Sequence, residues 1–131
     1  MPTVWVRYIV DDIDTSIAFY SDRLGFKVDL HPGPGFAALS LGDLQLLLNS
    51  SSGTGGASQM MPDGLKPQPG GWNRIQLRVD DLTRHVEVLK RAGVRFRNEI
   101  VHGNGGKQIL LDDPSGNAIE LFEPAQKIAE R

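Results

Sequence analysis

The chain contains no cysteine, which excludes disulfides, thiolate metal centres and thiol nucleophiles, and is compatible with a reducing compartment. It has no basic run. Fourteen Lys and Arg stand against sixteen Asp and Glu, for a formal net charge of −2, so there is no electrostatic handle for nucleic acid or an anionic membrane. No apolar stretch approaches the roughly 18 residues a membrane span needs. Arg7, Asp11 and Asp12 interrupt any apolar signal core at the N-terminus. These absences point to a cytoplasmic protein without nucleic-acid or membrane partners. Histidine is scarce as well: His31, His85 and His102 are the only three.

What is present is a duplication. Ile9-Val10-Asp11-Asp12-Ile13 returns as Arg78-Val79-Asp80-Asp81-Leu82. Each copy follows an alternating strand pattern and precedes a helical one. The first helical stretch ends at Leu24-Gly25-Phe26 and the second at Ala92-Gly93-Val94, glycine being a cheap helix stop. Each copy later reaches a turn and an apolar strand: Gly42-Asp43 before Leu44 to Leu48, and Pro114-Ser115-Gly116-Asn117 before Ala118 to Phe122.

The reading is α+β, with 131 residues forming one domain of two tandem βαβββ modules. Module 1 covers about 3–49, with strands at 3–10, 26–30, 36–41 and 44–49 and helix-start chemistry at Asp14-Thr15-Ser16. Module 2 covers about 72–124, with a helix at 81–92 and strands at 94–101, 107–111 and 118–122. Residues 50–71, rich in Ser, Gly and Pro, form a linker. It reads as a solvated tether or as a flap using Met60 and Met61. The charged tail 124–131 reads as a fraying end.

Val-Asp-Asp-Ile-Asp followed by Phe19-Tyr20 and Leu24-Gly25-Phe26 resembles the first module of the vicinal oxygen chelate superfamily. Asp113 to Pro124 resembles the end of its second module. That superfamily includes glyoxalase I, extradiol dioxygenases and bleomycin resistance proteins. The resemblance implies a curled mixed sheet around a U-shaped cavity, helices outside, and pairing as a homodimer. It also implies four metal-ligand positions, filled by His, Gln or Glu in metal-using relatives.

Here those positions read Trp5, Leu46, Arg74 and Glu120. Only Glu120 offers a metal lone pair: indole donates only, leucine has nothing, and guanidinium is permanently cationic. No metal and no cofactor is therefore expected. The three histidines read as surface or loop residues, with His102 kept as a residue at the cavity mouth. Asp11-Asp12 and Asp80-Asp81 read as helix caps.

Strand alternation extends the four positions into a cavity lining of Trp5, Arg7, Leu46, Leu48, Arg74, Gln76, Arg78, Glu120 and Phe122. Arg74 and Glu120 are expected to pair, either as internal glue alone or with a part in ligand recognition as well. The leading functional reading is a metal-independent small-molecule-binding protein of the bleomycin-resistance type, its arginines favouring an anionic or polar aromatic ligand. The alternatives are an enzyme of the same superfamily (lyase, isomerase or dioxygenase) using Glu120 as base or an atypical metal site, and a subunit with a filled cavity.

Overall fold

A computed structural model of the chain describes residues 3–125. It divides into two compact units, one of residues 3–70 with Pro114–Asn117 and the other of Gly71–Asp113 with residues 118–125. The expectation for the tail beyond Ala125 lies outside the described residues.

In the first unit, β1 (Trp5–Val10) leads to α1 (Ile13–Leu24), then β2 (Lys27–Gly33), β3 (Phe36–Leu41) and β4 (Leu44–Ser50). The sheet order is β1-β4-β3-β2, with β1 and β4 parallel. Helix α1 starts where expected of the acidic pair, but one residue before the Asp14-Thr15-Ser16 signal. Asp12 is the N-cap, accepting from the Thr15 backbone N–H at 2.9 Å and the Thr15 hydroxyl at 2.6 Å. The helix ends on Gly25 at φ +79, a conformation that glycine reaches without a Cβ clash. Val10, Ile13, Tyr20, Leu39, Leu46 and Leu48 are fully or almost fully buried. Each such side chain contributes about 1.5–3 kcal/mol by leaving water.

In the second unit, β5 (Ile75–Arg78) leads to α2 (Leu82–Arg91), then β6 (Val101–His102), β7 (Gly106–Asp112) and β8 (Ala118–Pro124). The sheet order is β5-β8-β7-β6, with β5 and β8 parallel. Asp81 caps α2 by accepting from the Arg84 N–H at 3.2 Å. Leu82, Val86 and Leu89 are buried on one side of α2. Ile75, Ile109, Leu111, Ile119 and Leu121 fill the same core. The duplication and the α+β class are thus present as read, in two four-stranded mixed sheets, each with one helix.

Two expectations are corrected here. The strand expected at 94–101 shrinks to Val101–His102 plus an isolated bridge from Phe96 to Leu111. Asn98 is the cause: its side-chain oxygen takes the Leu110 N–H at 2.9 Å, displacing the backbone carbonyl that would continue a ladder. The 50–71 segment is also more than a bare tether. Ser51 N–H bonds the Val10 carbonyl, Lys66 reaches the Ser51 carbonyl, and a short 3₁₀ turn covers Gly56–Ser58. Met60 and Met61 are exposed. No helix among the described residues is long and apolar enough to cross a membrane.

Candidate functional site

The residues singled out from the sequence fall on the sheet faces of both units. In the second unit the β5–β8 ladder pairs Gln76 with Glu120 and Arg78 with Phe122. In-register residues share a face, and alternation adds Arg74 just before β5. The pleat therefore brings Arg74, Gln76, Arg78, Glu120 and Phe122 to one side. The opposite side carries Ile75, Leu77, Ile119 and Leu121, which suits a helix-covered core.

Glu120 is the centre of that side. It is only 6% exposed, so its charge demands partners, and it has them. Oε1 accepts from Arg74 Nε at 3.1 Å and Nη2 at 3.0 Å. Oε2 accepts from Gln76 Nε2 at 2.6 Å. Arg74 Nη1 in turn donates to the Trp72 carbonyl at 3.2 Å, which fixes the plane of the guanidinium.

A second arginine of the same unit is anchored as well. Arg97 Nε lies 2.6 Å from Asp112 Oδ1, and Nη1 donates to the Gly71 carbonyl at 2.8 Å. Its guanidinium carbon sits 4.8 Å from the centre of the exposed Trp72 ring, within cation–π range. Sequence reading missed this Trp72–Arg97–Asp112 cluster. Its signal was hidden because residue 97 was placed in a regular strand.

In the first unit, Trp5 and Arg7 lie on one face of β1, both exposed, Trp5 at 53%. The β4 assignment is corrected. The parallel ladder pairs Val6 with Leu46 and Tyr8 with Leu48, and Trp5, Arg7 and Ile9 with Gln45, Leu47 and Asn49. Leu46 and Leu48 therefore lie in the core with Val6 and Tyr8, on the opposite face from Trp5. Leu47 is the residue of β4 that matches Glu120 of β8.

The physical reason is turn length. Gly42-Asp43 is a two-residue hairpin closed by the Leu41–Leu44 pair, whereas β7 and β8 are joined by the five residues 113–117 between Asp112 and Ala118. Aligning Gly42 with Gly116 shifts the register by one, and with a period of two one residue reverses the face. A comparison of turn lengths would have found Gln45, Leu47 and Asn49.

The donor set does not fit a divalent ion. With the register corrected, the four positions implied by the resemblance hold Trp5, Leu47, Arg74 and Glu120. Both oxygens of the single carboxylate are already engaged, one by a guanidinium that would repel a cation. No group of three or more His, Cys, Asp or Glu able to hold a metal occurs among the described residues. His31, His85 and His102 are all exposed: His31 is 3.7 Å from Asp14, His85 lies on α2, and His102 lies in β6 across from Lys107.

Comparisons with known proteins agree with this architecture. Residues 3–121 match the model of the Glyoxalase/Bleomycin resistance protein/Dioxygenase superfamily. A bleomycin resistance protein of Geobacillus stearothermophilus is 26% identical over 120 residues, covering 87% of this chain and 90% of that protein. A superfamily member from Sphaerobacter thermophilus superposes with a TM-score of 0.72 at 26% identity, over 94% of this chain and 98% of that one. The lactoylglutathione lyase of Agrobacterium tumefaciens shares the fold, with a TM-score of 0.70 at 19% identity over 94% of each chain. A duplicated strand–helix–strands unit, the paired acidic helix caps and a family match across nearly the whole chain lead to one assignment: this protein belongs to the Glyoxalase/Bleomycin resistance protein/Dioxygenase superfamily.

Proposed function

We propose that this protein is a metal-independent small-molecule-binding member of its superfamily. Its ligand would be an anionic or polar aromatic compound; the candidate recognition residues are Trp5 and Arg7 on the sheet of the first unit and, considered by itself, the Arg74, Gln76, Arg78, Glu120 and Phe122 face of the second. The observation that carries this reading is the Arg74–Glu120–Gln76 cluster. It puts a fixed guanidinium where metal-using relatives would need a ligand, and arginine's fork suits carboxylates and aromatic planes.

The relatives named for bleomycin resistance make that drug the first compound to test. Bleomycin is cationic, and three arginines on these faces disfavour it. Calorimetric titration with bleomycin and with a series of aromatic carboxylates separates the two. Micromolar binding of a carboxylate, weakened by Arg7→Ala, is the expected result. Tight bleomycin binding with no binding of any anion overturns the ligand class.

The second reading is an enzyme that uses Glu120 as base. Its support is a buried carboxylate held in a defined orientation. Against it, Oε1 already accepts two hydrogen bonds and Oε2 one, and the residue is nearly buried, so at most one lone pair of Oε2 is left for a substrate proton. Solvent-deuterium incorporation into a bound carbonyl compound, lost in Glu120→Gln, would establish the enzyme reading. A homodimer in the cytoplasm completes the proposal. Light scattering on the purified protein tests the dimer, and cell fractionation tests the location.

A further inference from the structure

We infer that Asn104-Gly105 is a self-modification site, where the chain converts its own asparagine to isoaspartate and thereby loosens the β6–β7 loop from β8. The chemistry begins in the residue pair. Glycine has no Cβ, so the Gly105 backbone nitrogen reaches the carbonyl carbon of the preceding side chain without a steric shield. Asn104 is the one asparagine of the chain that is followed by glycine. The Gly105 nitrogen attacks Asn104 Cγ. An N–Cγ bond forms, the Cγ–Nδ2 bond breaks, and ammonia leaves with the proton that the Gly105 nitrogen gives up. The product is a succinimide ring. Water then opens either ring carbonyl, giving aspartate or isoaspartate. One water is consumed, one ammonia is released, and nothing is oxidised or reduced.

The fold leaves this pair open and holds its competitors. Asn104 and Gly105 are both exposed. Neither the Asn104 side chain nor the Gly105 N–H makes a hydrogen bond among the described residues, so the attacking nitrogen is not tied down. After Asn49 the nitrogen is held: Ser50 N–H donates to the Gly35 carbonyl at 3.0 Å, and Asn49 itself is buried. Asp63-Gly64, the acidic counterpart of the same pair, is held too, with Gly64 N–H on the Met61 carbonyl at 2.9 Å. Asn117 has both ends of its amide engaged, and Asn98 Oδ1 accepts from the Leu110 N–H.

The loop is stitched on both sides of the reacting peptide bond. Gly103 N–H donates to the Gly106 carbonyl at 2.8 Å, and Ala125 N–H to the Gly105 carbonyl at 2.9 Å. Gly106 sits at φ +149, and a Cβ there would clash with the Glu123 carbonyl oxygen, so the chain has no room to move toward β8. Isoaspartate routes the backbone through the former side chain and adds one carbon between these anchors. That length is not absorbed against β8, and it pulls the Gly105 carbonyl off the Ala125 N–H. Gly105 also lies beside Phe122, whose Cζ is 4.0 Å from where a Gly105 Cβ would stand. The modification itself does not depend on the ligand-binding reading.

Ageing the purified protein at mildly alkaline pH, folded and in urea, tests this. Peptide mass spectrometry reads the gain of one mass unit, and isoaspartyl methyltransferase reads isoaspartate. In the folded protein Asn104 is expected to change first, at no more than a few-fold below its rate in urea. Folding should slow Asn49 and Asp63 by at least about tenfold, as it does other groups that react only after local opening. Gly105→Ala, whose Cβ fits beside Phe122, should slow Asn104 several-fold in both states. The isoaspartate form, separated by anion exchange through its added negative charge, should exchange the Ala125 amide faster than the unaged protein. Freshly made Asn104→Asp has the charge without the extra carbon and should leave that exchange unchanged.

An Asn104 that changes in urea but not in the folded protein overturns the site. Aspartate without isoaspartate overturns the ring intermediate. Unchanged Ala125 exchange in the isoaspartate form overturns the loosening of the loop, and faster exchange in Asn104→Asp assigns it to charge instead of backbone length.

Discussion

Gln76 stands directly across the parallel β5–β8 ladder from Glu120, and its amide nitrogen lies 2.6 Å from the Glu120 oxygen that Arg74 leaves uncovered. The carboxylate is thus satisfied at both ends by residues of one neighbouring strand and its lead-in.

Removing one partner should be costly. The Arg74 side chain is 29% exposed and that of Glu120 7%, so Arg74→Ala strands a nearly buried charge. The expected loss is about 3 kcal/mol, the lower end for a broken buried pair, read from urea unfolding. The double variant Arg74→Met/Glu120→Leu should recover most of that loss, because no charge is left unpaired. A double variant as unstable as the single one would show that the pair itself supports the fold.

Chelator treatment should leave the melting temperature unchanged. A metal bound only to the folded state would raise it by mass action, and the donor set described above does not hold one. Elemental mass spectrometry of untagged protein, purified without chelator, should give well below one equivalent of iron, zinc, manganese or nickel. A stoichiometric metal together with a chelator-sensitive melt would refute metal independence.

The cap of α1 predicts one part of the acid limb. The Thr15 hydroxyl first, and the Thr15 backbone N–H second, hold the Asp12 carboxyl below the usual aspartate range. A folded pKa lowered in this way stabilises the fold fully above the unfolded value of about 3.9. That contribution is lost as pH falls through the folded value. Asp12→Asn keeps a capping oxygen but cannot titrate. It should flatten the stability–pH curve below the unfolded value and leave the rest unchanged. An identical acid limb in both proteins would remove Asp12 from the account.

Asn117 should matter for stability. Its Oδ1 accepts from Gly70 N–H and its Nδ2 donates to the Ile9 carbonyl, both at 2.8 Å, while Ser115 Oγ accepts from the Asp11 N–H at 2.8 Å. The Pro114–Asn117 segment thereby ties the end of β1 and the end of the 50–70 segment together within the first unit. Asn117→Ala should cost about 2 kcal/mol, for two lost bonds at a buried position, and speed amide exchange at Gly70. Unchanged exchange there would mean that the segment is held by other contacts.

The corrected β4 register separates two neighbouring leucines. Leu46 is fully buried, so Leu46→Ala should cost about 3 kcal/mol and leave ligand affinity unaltered. Leu47→Ala lies on the face of Trp5 and should weaken ligand binding. The reverse pattern, measured by unfolding and by titration, would restore the original face assignment.

The sequence by itself determined the duplication, the α+β class, the two acidic caps and the Arg74–Glu120–Gln76 face. All of these follow from short-range signals: strand alternation, glycine stops and acidic residues at strand-to-helix junctions. Each is read within a few residues of where it acts, so small errors of length do not accumulate. Tertiary structure decided what depends on counting across a turn or on a competing side chain. The two-residue turn at Gly42-Asp43 put Leu46 and Leu48 in the core and Leu47 and Asn49 on the Trp5 face. Asn98 took the Leu110 N–H and dissolved most of the expected strand before β7. The Trp72–Arg97–Asp112 cluster arises from residues distant in the chain, and only hydrogen-bond geometry in the folded state brings it into view.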